Sequence, residues 1–223
     1  MVGQALSTGT PRDTADALLA LVAAEGSASH RHPTSDALVH GPEAARNVAD
    51  IVHLLCVLHG RHPGVVDHAV ERAGNSSTRA FLGDAAEAFS LERALLTKLV
   101  VAVGPLPSTP GQADTETAVL AQHHAIDMLS QSERTGCALG AALALLADWA
   151  AVRPVLVTAA RRLSLEIDSS NLPNADVIAK VVRAAESSPA ADRAMLFGAQ
   201  QIVAQHRGLW DLLEARAIAR SDY

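Results

Sequence analysis

Placed at 100° per residue on the helices that their apolar neighbours imply, four ionisable side chains fall in the middle of apolar faces. Glu92 lies between Phe81, Ala85 and Leu99, and Glu133 continues the line of Val119, Ile126 and Leu129. His206 sits among Met195, Ala199, Ile202 and Leu213, while His59 ends the line of Val48, Val52 and Leu55. Gln122 shares the face of Glu133. Burying such groups without partners is costly. Carboxylates and imidazoles pointing inward from different helices are the donors with which a helical bundle holds iron or manganese.

In this respect the chain resembles the ferritin-like proteins, over the helices from Thr78 onward. The resemblance is architectural and implies an up-and-down bundle. That family pairs a Glu with a His three residues later, whereas the positions three after Glu92 and Glu133 are Leu95 and Gly136. If their helices join at the 104–112 loop, the two glutamates differ in depth by ~13 Å at ~1.5 Å per residue, which makes Gln122 the better level partner for Glu92. The reading that follows is structural. Glu92 bonds to Gln122 or a serine, and Glu133 pairs with Arg134 or Arg93 or reaches solvent. A metal-binding or metal-dependent redox protein with a degenerate carboxylate/histidine site is the alternative, and no complete motif implies a cofactor.

Other constellations are weaker. His30 and His32 flank Arg31 in a loop and read as solvated. Asp50 with His53, and His123 or His124 with Asp127, have helical spacing for a metal or proton-transfer pair, yet each lies on a polar stripe. Glu116, His123, Asp127 and Arg134 read together as a solvated face. There is no Gly-x-Ser-x-Gly, and Cys56 and Cys137 lack a basic neighbourhood that would activate a thiol. A phosphate-cradling loop needs a preceding strand, and none is predicted.

The elements that must position these residues are helices. Hydrophobic residues make up 49% of the 223-residue chain but aromatics only 3%, so the core is built from Ala, Leu and Val, which favours helices over sheets. The most apolar stretch, Thr135 to Leu165, reads as the buried centre. Gly136, Gly140 and Ala144 form a close-contact stripe, Pro154 marks a bend or restart, and almost no candidate chemistry falls on the stretch itself. Its uncharged part is too short for a bilayer, which needs roughly 20 residues. Self-association through the Gly136 and Gly140 face is a lesser expectation.

Around this centre the sequence predicts a first helix with Thr10 as N-cap, Pro11 at its first position and Asp13 in its first turn. Further helices are predicted over 42–59, about 64–73 and 78–103, and another from about Ala113 toward the apolar stretch, with a kink or straight passage at 132–136. Asn174 caps a helix of about Ala175 to Glu186, and the last helix runs from Ser188 and Pro189 to about Ala219.

The expectation is one all-α domain over 1–223, an antiparallel helical bundle of about six or seven helices, ferritin-like and up-and-down, with an irregular helical array or a TetR-like ligand domain as the alternative. Residues 1–9 are expected to form a flexible N-terminus, and 104–112 a Pro-rich inter-helix loop. A net charge of −6 with scattered Lys and Arg argues against nucleic acid as a partner. Two cysteines in apolar stretches, and no signal-like segment at the start, point to the cytoplasm. The function expected is a non-enzymatic binding or protein-interaction module, whose partner is a small apolar ligand, another protein or a second copy.

Overall fold

The computed structural model describes residues 13–38, 40–185 and 188–221. These contain no strand and form eight α-helices: α1 (Thr14–Glu25), α2 (Ala44–His59), α3 (Val65–Glu71), α4 (Ser76–Val103), α5 (Gln112–Ser130), α6 (Cys137–Arg162), α7 (Ala175–Ala184) and α8 (Pro189–Ser221). Three short 3₁₀ turns, 27–29, 32–34 and 36–38, lead from α1 to α2.

Local capping sets several boundaries. Asn75 accepts from the Thr78 N–H to open α4, and Asn174 does the same from Val177 to open α7. Asp13, expected inside the first turn, is instead the N-cap of α1 and accepts from the Ala15 N–H. Thr10, Pro11 and the expected flexible stretch 1–9 lie outside the described residues, as does the expected end of α7 at Glu186.

The apolar centre is α6, and its partner is α8. A Cβ on Gly140 would strike the Met195 carbonyl, and one on Gly198 would strike the Cys137 carbonyl. Gly136, in a left-handed conformation at φ +92°, lies against the Ala191 carbonyl in the same way. The close crossing predicted from these glycines is thus made within the chain, and α8 occupies the face on which self-association was expected. The pairs Gly136–Ala191 and Gly140–Met195 advance together, so α6 and α8 run parallel. Asn47–Arg220, Asp50–Arg216 and His59–His206 advance in opposite senses, so α2 runs antiparallel to α8. The assembly is a bundle with mixed directions at its centre.

Pro154 lies inside a continuous α6, so the restart, one of the two outcomes expected there, does not occur. Pro154 and Ala150, whose carbonyl loses the proline's N–H, are both exposed, so the missing bond falls on the solvent side of the helix. An 18-residue window of α6 reaches a mean hydropathy of 1.5, enough by length and composition to cross a bilayer, but 67% of it is buried inside the fold. The described core forms one contiguous cluster from Ala15 to Leu213, with Trp149 and Trp210 fully enclosed.

Candidate functional site

Asp148, the acid within the apolar run of α6, is buried beside α8. Its carboxylate accepts from the Ser27 N–H at 2.7 Å, the Ser27 hydroxyl at 2.5 Å and His206 Nδ1 at 2.5 Å. Ser27 Oγ in turn accepts from the Trp210 indole at 2.8 Å. Beyond His206, Nε2 meets Nε2 of His59 at 2.7 Å. The 26–38 segment is thereby pinned to the α6–α8 crossing, and Gly26 is needed because a Cβ there would collide with the Asp148 carboxylate. Burial opposes ionisation of Asp148, but its bonds from His206 and Ser27 prevail and hold its pKa below the ordinary carboxylate value. Burial pushes His59 well below the ordinary histidine value, and the rings of His206 and His123 push the same way.

Glu92 forms a second network. It accepts from the Trp149 indole at 3.1 Å, from the Ser170 hydroxyl at 2.8 Å and from Arg153. Trp149 packs edge-on against His59, with ring centroids 5.6 Å apart, so the two networks meet at one indole.

A third network closes the far end of α2 and α8. Asp50 accepts from Arg216 Nε and Nη2, both at 2.9 Å, and from Arg220 Nη1 at 2.5 Å. Both arginines also bond Thr109, which fastens the 104–112 loop.

The convergence of Glu92, Gln122, Glu133 and His206 that the metal-binding alternative requires does not occur. Helix α5 ends at Ser130, and Glu133 lies exposed in the loop before Gly136, so the periodicity that carried it inward stops one turn short. Gln122 donates to the Gln205 carbonyl of α8 at 3.3 Å rather than to Glu92. Among the candidates only His59 and His206 come together, and no group of three metal-ligating side chains forms among the described residues.

The residues missed from the sequence were Asp148, Trp149 and Arg153, all on the stretch expected to carry almost no chemistry. An acid alone inside the most apolar run was the available signal. Asp50 and His123, expected on solvated faces, are buried, as are the loop histidines His30 and His32. His30 Nε2 donates to Asp211 at 3.1 Å and its Nδ1 accepts the His32 N–H, so these rings fasten the loop to α8. His123 donates from Nδ1 to the Leu58 carbonyl at 3.2 Å. With His59 it lines a cleft of about 10 Å³, room for one water.

A larger space opens elsewhere. A groove of about 550 Å³ runs along the outer side of α6 against residues 170–174, with Leu146, Ala150, Pro154, Val157 and Leu172 among its walls and Trp149 at its base.

The fold and these networks define an all-helical bundle protein whose buried ionisable groups are bonded to one another, with an open groove beside its central helix. The chain belongs to DUF6975, a family of unknown function, whose model matches residues 22–221. No curated protein and no solved structure matches it.

Proposed function

We propose that this protein is a cytoplasmic, non-enzymatic binding module that holds a small apolar molecule in the groove along α6. The groove carries the reading. Its volume lies in the range of small-molecule sites, about 300–1,000 Å³, and its walls are mostly apolar with a few polar groups to orient a ligand. The buried acids and bases support a binding role over a catalytic one, because Asp148 and Glu92 are each occupied by three donors and the His59–His206 pair is enclosed. The free thiols of Cys56 and Cys137 support a reducing compartment.

The test is titration with Nile red, a neutral apolar fluorophore. One saturable site is expected, lost in Val157→Trp, which fills the groove from a half-exposed position, while the urea midpoint stays unchanged. Absence of saturable binding, or binding indifferent to Val157→Trp, overturns the reading.

A further inference from the structure

We propose that the groove along α6 selects a free single-chain amphiphile with an anionic head, a carboxylate or phosphate, seated at Arg161. This rests on reading the groove as a binding site and adds the chemical class of its occupant.

Among the described residues the groove's only charged wall residues are Arg153 and Arg161, and no Asp or Glu is part of the wall, in a chain whose net charge is −6. The two arginines are not equivalent. Arg153 is turned to Glu92 and to the Asp168 carbonyl, so its donors are engaged inside the protein. Arg161 is exposed and has no hydrogen-bond or ion-pair partner among the described residues. It is the cation left for a ligand.

Leu146, Ala150, Pro154, Val157 and Arg161 recur at four- and three-residue steps, which places them on one face of α6. From Leu146 to Arg161 this face extends ~22 Å at ~1.5 Å per residue, with the free cation at one end. A long apolar body with one anionic end matches that order. The full charge of Arg161 exceeds the roughly half charge of opposite sign that a helix C-terminus presents.

Isothermal titration calorimetry with decanoate, decanol and decyltrimethylammonium, each below its micelle concentration, tests this. Decanoate is expected to bind about tenfold or more tightly than decyltrimethylammonium, with the advantage shrinking at high salt and reversing in Arg161→Glu. Equal binding of the anion and cation, or decanoate binding untouched by Arg161→Glu, overturns the anionic class. In that case Nile red or decanol binding that is still blocked by Val157→Trp leaves the groove itself standing. If no probe binds, both the groove reading and this inference fall. Co-sedimentation with phosphatidylglycerol vesicles that Arg161→Glu abolishes, without binding of free decanoate, assigns the anion to a lipid surface and overturns the free-ligand proposal.

Discussion

The Nε2 atoms of His59 and His206 face each other at 2.7 Å, a separation at which one ring donates and the other accepts, so a single proton lies between two buried imidazoles. That contact ties α2 to α8, and through His206 Nδ1 and Asp148 it reaches α6 and the 26–38 segment. Three helices and a loop therefore depend on the protonation of one chain of groups.

Stability should fall as the pH drops from 7 toward 4. Burial holds His59 well below the ordinary histidine value and His32 at about 4, the latter against the opposing pull of Glu214. The unfolded chain takes up protons on both rings below about pH 6.5 while the folded chain does not, so each contributes a slope of up to about 1.4 kcal/mol per pH unit. Asp148, depressed in the folded state, adds a further loss only below the ordinary carboxylate range. Urea unfolding at pH 7, 6 and 5 measures the slope. His32→Phe should flatten it, and a pH-independent midpoint over this range would refute the assignment.

Asp148→Asn should cost about 2–4 kcal/mol at pH 7, because the amide supplies one acceptor oxygen where the carboxylate accepts from Ser27 and His206 together. Hydrogen exchange of the 26–38 backbone should quicken in this variant, since Ser27 loses its anchor. Unchanged protection there would show that the segment is held by packing alone.

Two Gly→Ala changes, one at the α6–α8 crossing and one in α4, should have opposite outcomes. Gly140→Ala drives a methyl into the Met195 carbonyl and should destabilise by about 3 kcal/mol or more. Gly83→Ala, in the middle of α4 with open space around the new Cβ, should stabilise by about 0.5–1 kcal/mol. Thermal melts of the two variants side by side check both signs.

Glu92→Ala leaves the Trp149 indole, the Ser170 hydroxyl and the Arg153 guanidinium without their common acceptor. A loss of about 3–5 kcal/mol is expected. The double variant Glu92→Leu with Arg153→Met should recover much of it, because it removes the stranded charge together with its partner. A double variant no better than Glu92→Ala would argue that the polar network itself, rather than the uncompensated cation, sets the cost.

The third network holds the other end of α2 and α8 through Asp50. Asp50→Ala removes the carboxylate that Arg216 and Arg220 share, leaving Arg216 without an acid and Arg220 only its longer pair to Glu43 at 3.7 Å, and should cost about 3–5 kcal/mol while freeing the 104–112 loop. Limited proteolysis at that loop, faster in the variant than in the parent, reads the second effect.

The sequence by itself determined the helical class, most helix boundaries and the identity of the core helix. These depend on short-range causes: the recurrence of Ala, Leu and Val at helical spacing, the Asn caps at 75 and 174, and the glycine stripe that α8 requires for close approach. It also marked Glu92, His59 and His206 as buried polar groups, since each stands alone on an apolar face. Only the tertiary structure decided who partners whom. Glu92 meets Trp149, Arg153 and Ser170 across sequence separations of 57, 61 and 78 residues, and Asp148 meets Ser27 across 121. Helical periodicity says which way a side chain points but not which helix lies opposite. Glu133 shows the converse. A helix that ends three residues early takes its periodicity with it, and the side chain that pattern directed inward stands in solvent.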